Sequence, residues 1–172
     1  MDIDPSLLGD PEADPQDGYR KLRENGDLAV AIRYLGQALP RLEAVAWASH
    51  LLQQWSQAAA AGVPERQALD SVQRWLEEPG DDYRRAAHEA GERAAAKSPE
   101  RLLANAVFMS GGSISEPDLP PVQPPQQVCG SLAASAVLVA AYGTETPATA
   151  LAQACDAGEK VASLGAKGLT GG

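Results

Sequence analysis

A chain of 172 residues is long enough to bury a core without disulfide or metal staples. Its formal net charge of −9 argues against nonspecific binding to nucleic acid or to an anionic membrane, since both need Lys and Arg to displace counterions, and points to a basic protein partner. Alanine is abundant while aromatics amount to one Phe, three Trp and four Tyr, so helices packed through small side chains are expected rather than a sandwich or barrel.

The acidic excess is heaviest at the start. Residues 1–26 read as an acidic leader, partly disordered, in which Asp10, Glu12, Asp14 and Asp17 form a patch; the sharper alternative is an arm that docks on a basic protein. A short helix over 15–24 fits within it, stopped by Asn25-Gly26. A single α-helical domain is expected over 27–164. Asp27 is placed to cap a helix over 28–39. Pro40 opens the next, over 41–59, where Leu42, Val45, Ser49 and Leu52 make one stripe and Trp47, Leu51 and Trp55 the adjoining one, a wide apolar arc that predicts a central position; Trp47, Trp55 and, on the following helix, Trp75 are spaced as core residues.

Pro64 starts another helix, on which Ala68, Val72, Trp75 and Leu76 recur at helical spacing. The run Glu77-Glu78-Pro79-Gly80-Asp81-Asp82 stops it. That run reads either as a solvated loop with Asp82 capping the following helix, or as a negative knob that meets Lys and Arg of a partner. Tyr83, Ala87, Ala90 and Ala94 then give a small-residue face, and Ser98-Pro99 starts a helix over 101–109 buried through Leu102, Leu103, Ala106 and Val107.

Residues 110–128 are unlike the rest. Ser110-Gly-Gly-Ser113 reads as a helix C-cap and turn, because it follows a helix rather than a strand and lacks the Gly-Lys-Ser/Thr ending of a phosphate loop. Pro117, Pro120, Pro121, Pro124 and Pro125 then forbid helix and central strand. Two readings stand: a strap laid over the bundle, with Ile114, Leu119 and Val122 filling grooves, or a polyproline segment presented to a partner. Beyond it, 131–142 is apolar nearly all round, as in an enclosed helix, and Gly143 ends it. Thr146-Pro147 opens a last helix carrying Leu151, Cys155 and Ala162, and Gly165, Gly168, Gly171 and Gly172 suggest a flexible tail over 165–172. With no fixed repeat period, the fold expected is all-α, a compact bundle of roughly six to seven helices.

Catalytic chemistry is not indicated. His50 falls between the apolar stripes of a core helix, His88 is placed on an exposed helix face, and neither is spaced with other metal ligands. Cys129 and Cys155 read as buried thiols in a protein kept in the cytoplasm, since no secretory signal or membrane-spanning run is seen. No enzyme activity, cofactor, metal site, nucleic-acid contact or membrane contact is expected, and no small-molecule ligand is anticipated. The candidate binding residues are Glu77, Glu78, Asp81 and Asp82, with Asp10, Glu12, Asp14 and Asp17 as a second patch.

Several marks coincide: Ala46-Trp47-Ala48, the segment from Ala68 through Trp75 to Pro79, Arg84-Arg85-Ala86-Ala87, and Ser110-Gly-Gly-Ser113 leading to Pro120-Pro121-Val122-Gln123-Pro124-Pro125. Together they resemble a bacterial family of small helical proteins of uncharacterised domain type, encoded around type VI secretion clusters, over roughly residues 28–162. The resemblance implies an immunity protein that binds and neutralises a cognate antibacterial effector, a DNase whose active or DNA-binding cleft it would occlude. The alternative it implies is an adaptor or chaperone that loads an effector for secretion.

Overall fold

The computed structural model describes residues 14–56 and 61–170, so Asp10, Glu12 and the end of the helix expected over 41–59 lie outside the described residues. The architecture is all-α, with eight α-helices and no strand among the described residues. Proline stands in the first turn of four of these helices, and in two of them a side chain caps the start. α1 (Pro15–Asn25) begins after Asp14, whose Oδ1 accepts the Gln16 amide at 3.0 Å, and closes on Gly26 at φ 80°, a left-handed value that glycine adopts without strain. α2 (Leu28–Ala38) and α3 (Arg41–Ser56) follow, separated by Leu39 and Pro40. α4 (Val63–Glu77) has proline in its first turn, and α6 (Pro99–Phe108) is capped by Ser98, whose hydroxyl accepts the Arg101 amide at 3.2 Å. α5 (Asp81–Arg93) precedes it; α7 (Val128–Tyr142) and α8 (Pro147–Leu164) complete the bundle.

α7 is the axis of the molecule. With no charged residue and apolar side chains over most of its surface, it gains most from being covered, and α2, α3, α6 and α8 all pack against it, leaving Ser131, Ser135, Val139 and Tyr142 exposed along one side. Small residues allow this closeness. At the α2–α7 crossing the backbones of Gly36 and Gly130 touch: a Cβ on Gly130 would stand 1.9 Å from the Gly36 carbonyl oxygen, and one on Gly36 2.5 Å from the Gly130 oxygen. Gln37 latches the same crossing, its Nε2 donating to Ser131 Oγ at 2.7 Å and to the Gln127 carbonyl at 3.2 Å. α5 meets α6 in the same way, with Gly91 against Ala104.

α3 is the second central helix. Trp47 is fully enclosed and its indole N–H donates to the Ala154 carbonyl of α8 at 2.9 Å, which satisfies the one polar atom that its burial would otherwise strand. Trp75 also belongs to the core, whereas Trp55, near the end of the described part of α3, is half-buried against it.

Two terminal segments are packed. α1 sits on α2 and is tied to α8, with Arg23 paired to Asp156 and Glu159 and the Tyr19 hydroxyl donating to Glu159 at 2.9 Å. Gly165–Leu169 forms a 3-10 turn folded back on α3 and α8, with Leu169 against the core, where the glycine-rich composition had suggested a flexible tail.

Candidate protein-docking surface

α4 ends at its own proline. Residue 78 precedes Pro79 and is pushed out of the helical region, to φ −140° and ψ 85°, and Gly80 in extended conformation restarts the chain as α5. Glu77, Glu78, Asp81 and Asp82 therefore share one turn, and all four are exposed. Asp82 does not cap α5. Gly80 occupies the cap position and no side chain bonds there, so Asp81 and Asp82 lie in the first turn, where the positive end of the helix dipole favours carboxylates.

Asp81 differs from its neighbours. Its Oδ1 accepts from Arg84 Nε at 3.0 Å and Nη2 at 2.6 Å, while Oδ2 accepts from Arg85 Nε at 2.9 Å. Those two guanidinium groups hold its carboxyl below the usual carboxylate range. Its charge is thus answered within the molecule, and the free negative charge of the turn resides in Glu77, Glu78 and Asp82.

Arg84 explains why. It is only 4% exposed, which is affordable for a guanidinium only when its donors are met. Nη1 donates to the Phe108 carbonyl at 2.6 Å, Nη2 also to the Ser113 carbonyl at 2.7 Å, and the group lies 4.9 Å from the Phe108 ring centroid as a cation–π contact. Arg85 adds bonds to the carbonyls of Ser113 and Ser115 at 3.1 and 3.2 Å. Gly112 makes room for this clamp: its φ is 67°, and a Cβ there would come within 3.1 Å of the Arg84 guanidinium. Arg41 grips the other end of the turn through the Ser110 carbonyl at 2.8 Å.

The proline passage closes on itself above this clamp. The Ile114 amide donates to the Val122 carbonyl at 2.9 Å, the Val122 amide to Ser113 Oγ at 3.0 Å, and Ser115 Oγ to the Pro120 carbonyl at 2.8 Å. These bonds satisfy the backbone locally, so apolar side chains are not needed as anchors. Leu119 and Val122 are 58% and 52% exposed and do not fill grooves, contrary to the strap expectation; Pro124 is the buried residue of the passage and Ile114 is half-buried. Because Asp81 shares Arg84 and Arg85 with Ser113 and Ser115, the acidic turn and the passage form one continuous face.

The described part of the second acidic patch, Asp14 and Asp17, is not joined to the first. Asp14 caps α1 and Asp17 pairs with Arg20 on the same helix, and α1 packs on α2 and α8 rather than on α4 or α5. One of the two histidines also departs from expectation. His88 is half-buried, stacked on Phe108 at 4.1 Å with Nδ1 3.2 Å from Asn105 Oδ1, because α6 covers a face that the sequence of α5 alone assigned to solvent. His50 is half-buried, and burial together with Lys160 lowers its pKa. Both cysteines are buried free thiols; burial pushes Cys129 up to about 11 and Cys155 above its ordinary value, so neither is a ready nucleophile. Among the described residues no group of three or more His, Cys, Asp or Glu is placed to hold a metal ion, and no helix is long and apolar enough to cross a membrane.

The model of a family of unknown function, DUF6931, matches residues 18–162, from within α1 to near the end of α8. No curated protein and no solved structure matches the chain.

Proposed function

The chain belongs to the DUF6931 family, and we propose that it is a non-enzymatic binding protein, an immunity protein that neutralises a cognate type VI antibacterial effector by covering its active or DNA-binding cleft. The observation that carries this reading is the Arg84–Arg85 clamp, which fixes an exposed acidic turn and an apolar loop tip as one face. A face of that kind has the anatomy of a docking site. Leu119 and Val122 supply apolar area, and Glu77, Glu78 and Asp82 supply a rim of one sign.

A nuclease that grips phosphate carries Lys and Arg in its cleft, and a net charge of −9 steers the chain toward such a partner from a distance. Charge then sets the rate of encounter and the register, while the desolvated apolar contacts slow dissociation. The rigidity of the clamp lowers the ordering cost of binding. The exposed tip also favours a second reading, an adaptor that carries an effector to the secretion machinery by the same face.

Co-expression with the effector encoded beside this gene tests the first reading. Protection of the host and a complex on size exclusion are expected; continued toxicity with no complex refutes it. Deleting the gene separates the two: loss of sister-cell survival marks immunity, and loss of secretion with survival intact marks the adaptor.

A further inference from the structure

A cleft of about 590 Å³ opens between the far ends of α3, α4, α6, α7 and α8, within the size range of small-ligand sites. It is remote from the docking face: Glu65 at its mouth and Glu77 at the acidic turn lie twelve residues apart on one helix, about 18 Å at the α-helical rise. Its walls include Trp55, Val139 and Pro99, its rim Glu65 and Glu145, and its interior Glu100.

Glu100 is the unexplained residue. It is only 7% exposed, no Lys or Arg lines the cleft, and none of the ion pairs among the described residues includes it. Its carboxylate is within reach of its own backbone N–H, no other donor to it is found among the described residues, and, since none of their enclosed side-chain oxygens lacks a partner, its remaining acceptor capacity opens onto the cleft. Glu65, by contrast, is engaged: its Oε1 accepts the Ala95 amide at 2.9 Å. A buried carboxylate without a counterion is relieved either by keeping its proton or by a cation that enters the cleft. Burial raises its pKa, and the neighbouring charge of Glu65 adds to the effect.

We propose that this cleft binds a small organic cation bearing an alkylammonium or guanidinium group, with Glu100 as counterion and Trp55 as the aromatic wall beside it. The chemistry selects this class. A bare metal ion is disfavoured because the carboxylates do not converge into a ligating set, and an anion would meet three glutamates. An alkyl cation places methylenes against Val139 and Pro99 and its charge against Glu100 and an indole face, the surface most attractive to cations. The Trp55 indole N–H donates to Gln153 Oε1 at 3.4 Å, which holds the ring in place. The same group can arrive as a free amine or as an arginine side chain of a protein.

Titrating agmatine into ¹⁵N-labelled full-length protein while following the Trp55 indole N–H resonance, assigned by its loss in Trp55→Phe, tests the site. A saturable shift is expected with agmatine and none with n-butanol. Glu100→Gln should weaken binding about 10-fold or more while leaving the Trp47 and Trp75 resonances in place, and Glu145→Gln at the rim should weaken it about 2-fold by removing an exposed charge. A capped Gly-Arg-Gly peptide run beside agmatine identifies the source: tighter binding of the peptide assigns the cleft to a protein side chain, tighter binding of agmatine to a free amine. Equal responses to agmatine and n-butanol, unchanged binding in Glu100→Gln, or no response to either cation overturns the proposal. None of these readouts depends on the effector, so the site stands or falls apart from the docking face.

Discussion

Replacing Arg84 by Met keeps the aliphatic stem but removes every donor of the clamp. The Phe108 carbonyl loses its charged partner, whereas the Ser113 carbonyl keeps the bond from Arg85. A buried acceptor left unsatisfied costs about 1–3 kcal/mol, and the lost contact with Phe108 adds about 1 kcal/mol. The expected loss is therefore about 2–4 kcal/mol, at the lower end of what removing one partner of a buried charged network costs. For a domain of this length that lowers Tm by roughly 10 °C. Asp81→Asn is the control: Asp81 is exposed and its pairs are screened by water, so it should cost no more than about 1 kcal/mol. Urea unfolding of both variants, with hydrogen exchange at the Ile114 and Val122 amides, measures the difference. Exchange in Arg84→Met should rise first within the 110–122 loop. A loss under about 1 kcal/mol, or one equal to that of Asp81→Asn, would refute the clamp as the element that fixes the face.

Gly130→Ala should destabilise by about 2 kcal/mol or more, because overpacking against the Gly36 carbonyl outweighs the roughly 1 kcal/mol gained in helix propensity; thermal denaturation checks it, and a gain in Tm would contradict the crossing. Glu100, whose pKa is raised by burial and then by Glu65, holds its proton more readily in the folded chain, so its contribution to stability is present at low pH and lost as pH rises through that folded value. The stability difference between the wild type and Glu100→Gln should accordingly grow in favour of the variant over that interval and level off above it. Leu119→Ser and Val122→Ser should each change stability by less than about 0.5 kcal/mol, since both side chains are exposed, yet weaken binding to the partner, as read by urea midpoints and calorimetry.

Much of the fold was legible in the sequence because its punctuation is strong. Pro15, Pro64, Pro99 and Pro147 stand in first turns, and small residues at helical spacing announce close packing along α5 and α7. The clamp was not legible. Arg84 reaches carbonyls 24 and 29 residues away, and a backbone acceptor leaves no mark in composition or spacing. For the same reason Asp81 looked like one free charge among four. Leu119 and Val122 were expected to be buried on hydropathy, but hydrogen bonds internal to the loop removed the need. Glu100, in the first turn of α6, reads as an ordinary complement to a helix dipole; only the neighbouring ends of α3, α4, α7 and α8 make it a buried charge.

The most direct test of the docking face is calorimetry of the purified chain against the nuclease effector proposed as its partner, at low and high salt, with Glu77→Lys/Glu78→Lys/Asp82→Lys in parallel. The wild type should bind more weakly as salt rises, and the triple variant should bind at least about 10-fold more weakly at low salt. Equal affinity of the two proteins at low salt would contradict the assignment of that face to the partner.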